Sequence, residues 1–377
     1  MKPRVLFWSR YALPVIDPQV VAPFGGAEFK LVTVARTLAV QGNVDPVLVC
    51  EGRPGYRSGE TYEVHGIEIG RRTCPSLPRP MRVLRDRWRI HQALIDARPD
   101  VIIQSAAGPE TLDMWIAGRR FGCPCVYWGA SLGDFDGRYR DHQGLVHAAS
   151  YAYSLRRVDA VVCQTSEQMK SLEENWSRVG HLIPNSIQVA DNVHEPGTRD
   201  RVVWIGKWHP WKGPDRYVEL ARCRPGRNFD MILSTGGLEE IRASILEQTR
   251  SVSNLTVHFD VPIDKINDFL DRARVLVNTS VQEGFPNAML QAGARSVPTL
   301  SLEVDPDGLL SREIMGGWAG CDLASLGTLV DASFQDEWWK EHSRKAHLHV
   351  SENHDVRSAG RKLEGLLLDL ISSRKNA

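Results

Sequence analysis

The chain has 377 residues, 42% hydrophobic and 24% charged, with 46 basic and 46 acidic side chains and zero formal net charge. This length exceeds one ordinary core and suits two domains, and the neutral balance excludes the global basic field of a nucleic-acid binder. Seven cysteines, an odd number without a C-x-x-C pair, exclude a disulfide framework or a cysteine zinc site and read as reduced thiols of a cytoplasmic protein.

Met1-Lys-Pro-Arg-Val-Leu-Phe-Trp-Ser9 carries too short an apolar run for a signal peptide and predicts a first strand over 4–8. No stretch reaches the roughly 18 apolar residues of a membrane-spanning helix. Phe24-Gly-Gly-Ala-Glu28 opens a helix predicted over 27–40, where Gly25 and Gly26 let backbone approach a ligand closely. The spacing is not G-x-G-x-x-G, so no dinucleotide cofactor is inferred. Strands follow at 46–50, 100–104, 124–128, 159–164 and 181–183, with an added strand over 63–69, and helices at 109–120 and 167–176 alternate with them. The run Arg79–His91, with five arginines and interleaved apolar residues, reads as a solvated helix face; its alternative is peripheral contact with anionic lipid or a lipid-pyrophosphate.

The polar segment 186–200 breaks this periodicity and reads as a linker between a first domain, 1–185, and a second, 201–352. Strands at 201–205, 229–234, 255–259, 275–278 and 298–301, with helices from 214, 238 and 262 and one in the Glu283 segment, repeat the alternation. The fold class is α/β, with two Rossmann-like domains built on parallel sheets. From about residue 336 the chain reads as helical to its end, and 353–377 forms a separate terminal helix with an apolar stripe.

Two segments carry chemistry. In Trp204-Ile-Gly-Lys-Trp-His-Pro-Trp-Lys-Gly-Pro-Asp215 a strand runs through a loop into a helix, so Lys207 and Lys212 can converge on one diphosphate. In Glu283-Gly-Phe-Pro-Asn-Ala-Met-Leu-Gln291 a strand ends at a turn, Pro286 suits a first helical turn, and the free amides of the new helix make an anion and hydroxyl site. Glu283 stands at its mouth, and Gln291 lies a little over two turns along. Asp134-Phe-Asp136 satisfies a D-x-D metal pattern, but the lysine pair already supplies the counter-charge and no metal is expected.

These segments resemble the E-x7-E region and the basic-pair signature of retaining GT-B glycosyltransferases of family four. The resemblance implies a GT-B fold, two Rossmann-like domains facing across a cleft with the last helix crossing back to the first. It implies a nucleotide-diphosphate sugar as donor, bound without metal or cofactor by the second domain, and a glycan, lipid-linked or small-molecule acceptor on the first. Glu283 then contacts the transferred sugar, Lys207 and Lys212 the diphosphate, and Gln291, in place of the family's second Glu, the ribose. Gly25, Gly26, Gly206, Gly284, Phe285, Pro286 and Asn287 complete the implied donor contacts. After the strand at 124–128 many relatives place a histidine that this chain lacks, and Ser131, Asp134 and His142 are the candidates for its place. The expected setting is cell-surface polysaccharide or glycoconjugate synthesis at the inner face of the membrane. Two other readings stay open: a non-catalytic GT-B subunit that binds nucleotide or glycan, and a UDP-sugar epimerase.

Overall fold

Runs such as Arg4–Trp8 and Ala160–Cys163 are apolar on successive residues, the mark of parallel strands covered on both faces. The computed structural model describes residues 2–17, 20, 25–52, 61–64, 67–73, 79–139, 144–189 and 199–375. It divides into two units: Met1–Asp17, Phe24–Ser186 and Val356–Ala377 form the first, and Pro18–Pro23 with Ile187–Asp355 the second.

The first unit is built on β1 (Arg4–Trp8), β2 (Asp45–Gly52), β3 (Thr61–Val64), β4 (Ile67–Thr73), β5 (Val101–Ser105), β6 (Cys125–Trp128), β7 (Ala160–Cys163) and β8 (His181–Leu182), in the order β3-β4-β2-β1-β5-β6-β7-β8. All pairs are parallel except β3 with β4, where Tyr62 faces Ile69 and Val64 faces Ile67. The single strand expected over 63–69 is therefore two. The chain turns back after β3 to pair it with the outer side of β4, so β3 takes the edge of the sheet.

The second unit carries β9 (Arg201–Lys207), β10 (Asn228–Ser234), β11 (Leu255–Phe259), β12 (Ala273–Asn278), β13 (Thr299–Ser301) and β14 (Gly316–Trp318), in the order β11-β10-β9-β12-β13-β14, all parallel. Counted from β9 this is the doubly wound order 3-2-1-4-5-6, and the winding reverses between β9 and β12. Strand β14 escapes sequence reasoning because two of its three residues are glycine. Gly316 adopts φ 142° and lies so close to the Thr299 carbonyl that a Cβ would collide with it, so low strand propensity accompanies a contact that only glycine permits.

The helical tail expected from residue 336 is two helices, Asp336–Asn353 and Val356–Lys375. Between them His354 leaves the helical region at φ −125°, its carbonyl accepts from Ile187 N at 2.9 Å, and Asp355 makes a single bridge with Ile187. The last helix belongs to the first unit and packs on the helix Gly26–Gln41. Leu363 and Leu367 are fully buried, Gly360 faces Thr37 and Gln41, and Gln41 Nε2 donates to Arg357 O at 3.0 Å.

Candidate active site

In the second unit the loops after β9 and β12, the two strands at the winding reversal, are tied into one construction. After Lys207 the chain makes a tight turn, Pro210–Lys212, and Gly213 at φ 59° starts the helix Pro214–Arg222. A Cβ on Gly213 would run into the Thr279 carbonyl, so the approach of the loops requires glycine at that point. Thr279 is fully buried; its hydroxyl accepts from Trp204 Nε1 at 2.9 Å and shares its proton between Lys212 O at 2.9 Å and Gly213 O at 2.8 Å. Val281 N donates to Trp211 O at 2.8 Å.

This clamp sets Lys212 Nζ against Glu283 Oε1 as an ion pair, and Ser280 Oγ donates to the same oxygen at 2.8 Å. The side chains are 27% and 16% exposed, so the pair is sheltered yet reachable by solute. Lys207, half-buried, ends β9 opposite Ser234 of β10, and Gly206 lies under the Trp204 ring. The structure thus joins Lys212 with Glu283 and sets Lys207 at the same carboxyl edge of the sheet.

The helix in the Glu283 segment starts later than its sequence suggests. It spans Asn287–Ala294 with Pro286 as its N-cap at ψ 121°, so Pro286 precedes the helix instead of occupying its first turn. Glu283 lies in the turn before it, and half-buried Gln291 is only four residues past Asn287, about one turn in. The estimate of two helical turns between Glu283 and Gln291 is corrected accordingly. Phe285 is 5% exposed and packs on the His354 ring at 4.6 Å, Pro286 is buried, and Gly284 and Asn287 are half-buried beside them.

Sequence reasoning missed Asp260. Its carboxylate accepts from Thr235 N (2.7 Å), Thr235 Oγ1 (2.6 Å), Gly236 N (2.9 Å), Gly237 N (3.3 Å) and Arg242 Nη2 (2.8 Å). Burial pushes this carboxyl up, but the Thr235 hydroxyl, Arg242 and the amides outweigh it and hold it below the usual range. The turn after β10, an amide nest suited to an anion, is filled by the chain's own carboxylate.

In the first unit Gly25 caps the helix Gly26–Gln41 in extended conformation, and its N–H donates to Glu28 Oε2 at 2.7 Å. One turn on, Lys30 is 2% exposed and its Nζ donates to Gly129 O at 2.7 Å, 4.8 Å from the centre of the Trp128 ring. Gln164 Nε2 donates to the same carbonyl. Burial lowers Lys30 to about 7, against the opposing pull of Asp134, Glu28 and Cys163. The sequence signal for Lys30 was available, since it falls on the helix's buried stripe with Leu31, Val34, Ala35 and Leu38.

Asp134 is 6% exposed and accepts from Tyr127 Oη (2.8 Å), Ala130 N (2.6 Å) and Ser131 Oγ (3.1 Å). Burial raises its pKa, with these hydrogen bonds opposing. With half-buried Ser131 it forms the capping box of the turn Leu132–Asp134, a pattern written in Ser131-Leu-Gly-Asp134. Asp136 pairs instead with Arg138, so the two carboxylates of the D-x-D sequence serve separate networks. Among the described residues no group of three or more His, Cys, Asp or Glu is arranged to hold a metal, and no helix is long and apolar enough to cross a membrane. His142 lies outside the described residues, as do most side chains of Arg79–His91, although Arg87 and Trp88 of that helix are exposed.

The chain matches two families, one described as Glycosyltransferase Family 4 over residues 24–191 and one as Glycosyl transferases group 1 over residues 199–322. No curated protein matches it by sequence. Among solved structures it is similar to sucrose-phosphate synthase from Thermosynechococcus elongatus, at 15% identity and a TM-score of 0.79, covering 99% of this chain and 100% of that one. It is similar to HepE from Anabaena, solved with UDP and glucose, at 13% identity and a TM-score of 0.72, covering 97% and 100%. A third similar structure is WaaG, a glycosyltransferase involved in lipopolysaccharide biosynthesis, at 14% identity and a TM-score of 0.68, covering 96% and 99%. One matched segment falls on each unit, and both units carry the parallel sheets of these structures: the chain belongs to the family-four glycosyltransferases of the GT-B fold.

Proposed function

We propose that the chain is a retaining glycosyltransferase that moves a sugar from a nucleotide-diphosphate sugar to a glycan, lipid-linked or small-molecule acceptor without a metal ion. The observation that carries this reading is the Lys212–Glu283 pair at the winding reversal of the second unit, where open α/β sheets bind ligands. Lys212 and Lys207 offset the charge that grows on the departing diphosphate, an interaction that strengthens in the transition state. Glu283 orients the sugar and supports positive charge at its anomeric carbon, Gln291 holds the ribose, and a donor phosphate oxygen takes the proton of the attacking hydroxyl. Gly25 and Gly26 are further proposed donor contacts, and the first unit receives the acceptor. Cell-surface glycoconjugate synthesis, with peripheral membrane contact through Arg79–His91, is the setting proposed.

The test is turnover of an α-linked nucleotide sugar, UDP-glucose first, in EDTA, with the anomeric proton of the product read by NMR. Transfer that survives chelation and gives an α-linked product is expected. Loss of activity restored by Mn²⁺ would overturn metal independence, and a β-linked product would overturn retention.

A further inference from the structure

Lys30 has no part in the mechanism above, yet it is the lysine around which the carboxyl edge of the first sheet is organised. Three elements meet there: the helix that follows β1 brings Lys30, the end of β6 brings Gly129, and the end of β7 brings Gln164. The Gly129 carbonyl accepts from both Lys30 Nζ and Gln164 Nε2, while Gly129 N donates to Val162 O at 2.9 Å. A side chain at 129 would strike the Phe135 ring, so the loop is drawn tight over the lysine. Beyond this point the loop closes on Asp134 and presents half-buried Ser131. Burying an ammonium group with one hydrogen bond and a ring face opposes folding, and an apolar residue would fill the stripe without that penalty.

We infer that Lys30 is a positioning residue for the transfer reaction, holding the Gly129–Asp136 loop through the Gly129 carbonyl in the form that receives substrate at the carboxyl edge of the first sheet. The inference rests on the glycosyltransferase reading for its substrate and on the geometry alone for the loop. A charged Lys30 makes a charge-assisted bond to the carbonyl, and a neutral amine makes a weaker one. With Lys30 lowered to about 7, the charged form prevails below neutrality and is lost above it, so the hold on the loop relaxes as pH rises. The groups facing Lys30 are Asp134 from the loop, Glu28 from its own helix, Cys163 from β7 and the Trp128 ring from β6. Burial pushes Cys163 up to about 12, and Tyr127 and Tyr151 beside Asp134 are also raised, so none of these three loses its proton near neutrality.

The experiment compares wild type with Lys30→Met, Lys30→Arg and Gln164→Leu by two readouts between about pH 6 and pH 8.5. One is the protection of the amides in 130–135, their exchange rate relative to the base-catalysed rate of an unstructured chain at the same pH; the other is kcat/KM for UDP release from UDP-glucose. In wild type, protection falls and kcat/KM falls about 5-fold as pH rises through the range. Lys30→Met is low and flat, Lys30→Arg restores the low-pH level and holds it, and Gln164→Leu steepens the fall because the carbonyl then depends on Lys30 alone. A Lys30→Met or Gln164→Leu chain whose exchange and pH profile superimpose on wild type would overturn the inference. A wild-type chain that shows the pH-dependent protection but consumes no nucleotide sugar would instead count against the glycosyltransferase reading and leave the role of Lys30 in the loop supported.

Discussion

Glu283 pairs with Lys212, the cation proposed to hold a donor phosphate. On that proposal, the sheltered carboxylate competes with an incoming diphosphate, because one ammonium cannot make its shortest contact to both. Glu283→Gln removes that competing charge while keeping an acceptor for Ser280 Oγ. UDP affinity should hold or rise a few-fold by calorimetry, whereas turnover should fall on the order of 100-fold because the sugar loses its electrostatic support. Loss of UDP binding with turnover intact would contradict the assignment. Lys212 and Glu283 were legible in the sequence because each stands in a strand-to-helix segment with a recognisable pattern. Thr279 and Asp260 were not, since a threonine after an apolar run and an aspartate before Val261-Pro262 look like ordinary loop residues until their partners, far off in sequence, are seen.

At the scale of elements, the site is a clamp between the turn after β9 and the turn after β12, and Gly213 is its tightest point. Gly213→Ala adds a Cβ at φ 59° against the Thr279 carbonyl. The strained backbone should destabilise the chain by about 1–3 kcal/mol in urea unfolding and raise the donor KM, since Lys212 moves with the turn. Unchanged stability and KM would mean that the loops adjust freely and that the clamp does not set the pair. Most strands could be read from their apolar runs because both faces are covered. What escaped were edge pieces: the split into β3 and β4, and the glycine-built β14, where pairing and close approach outweigh propensity. The break at His354 was legible, since Asn353, His354 and Asp355 are weak helix formers and a separate terminal helix was expected from 353; the pairing with Ile187 that accompanies it was not.

On the scale of the whole molecule, the chain forms two doubly wound units, and the fold was legible because alternation and motifs agreed. The contacts proposed for the first unit were the least legible part. The loop after β6 carries no histidine at the expected place, Asp134 spends its carboxylate on the loop itself, and the buried lysine that organises that edge interrupts an otherwise apolar stripe. The central claim, that the loops after β9 and β12 bind a nucleotide-diphosphate sugar through Lys212, is tested most directly by calorimetric titration of UDP and UDP-glucose in EDTA into wild type and Lys212→Ala. Loss of one charge-assisted contact of about 1.5–3 kcal/mol predicts binding weakened roughly 10- to 100-fold in the variant. Equal affinity in the two proteins, or no binding of either ligand to wild type, would contradict the account.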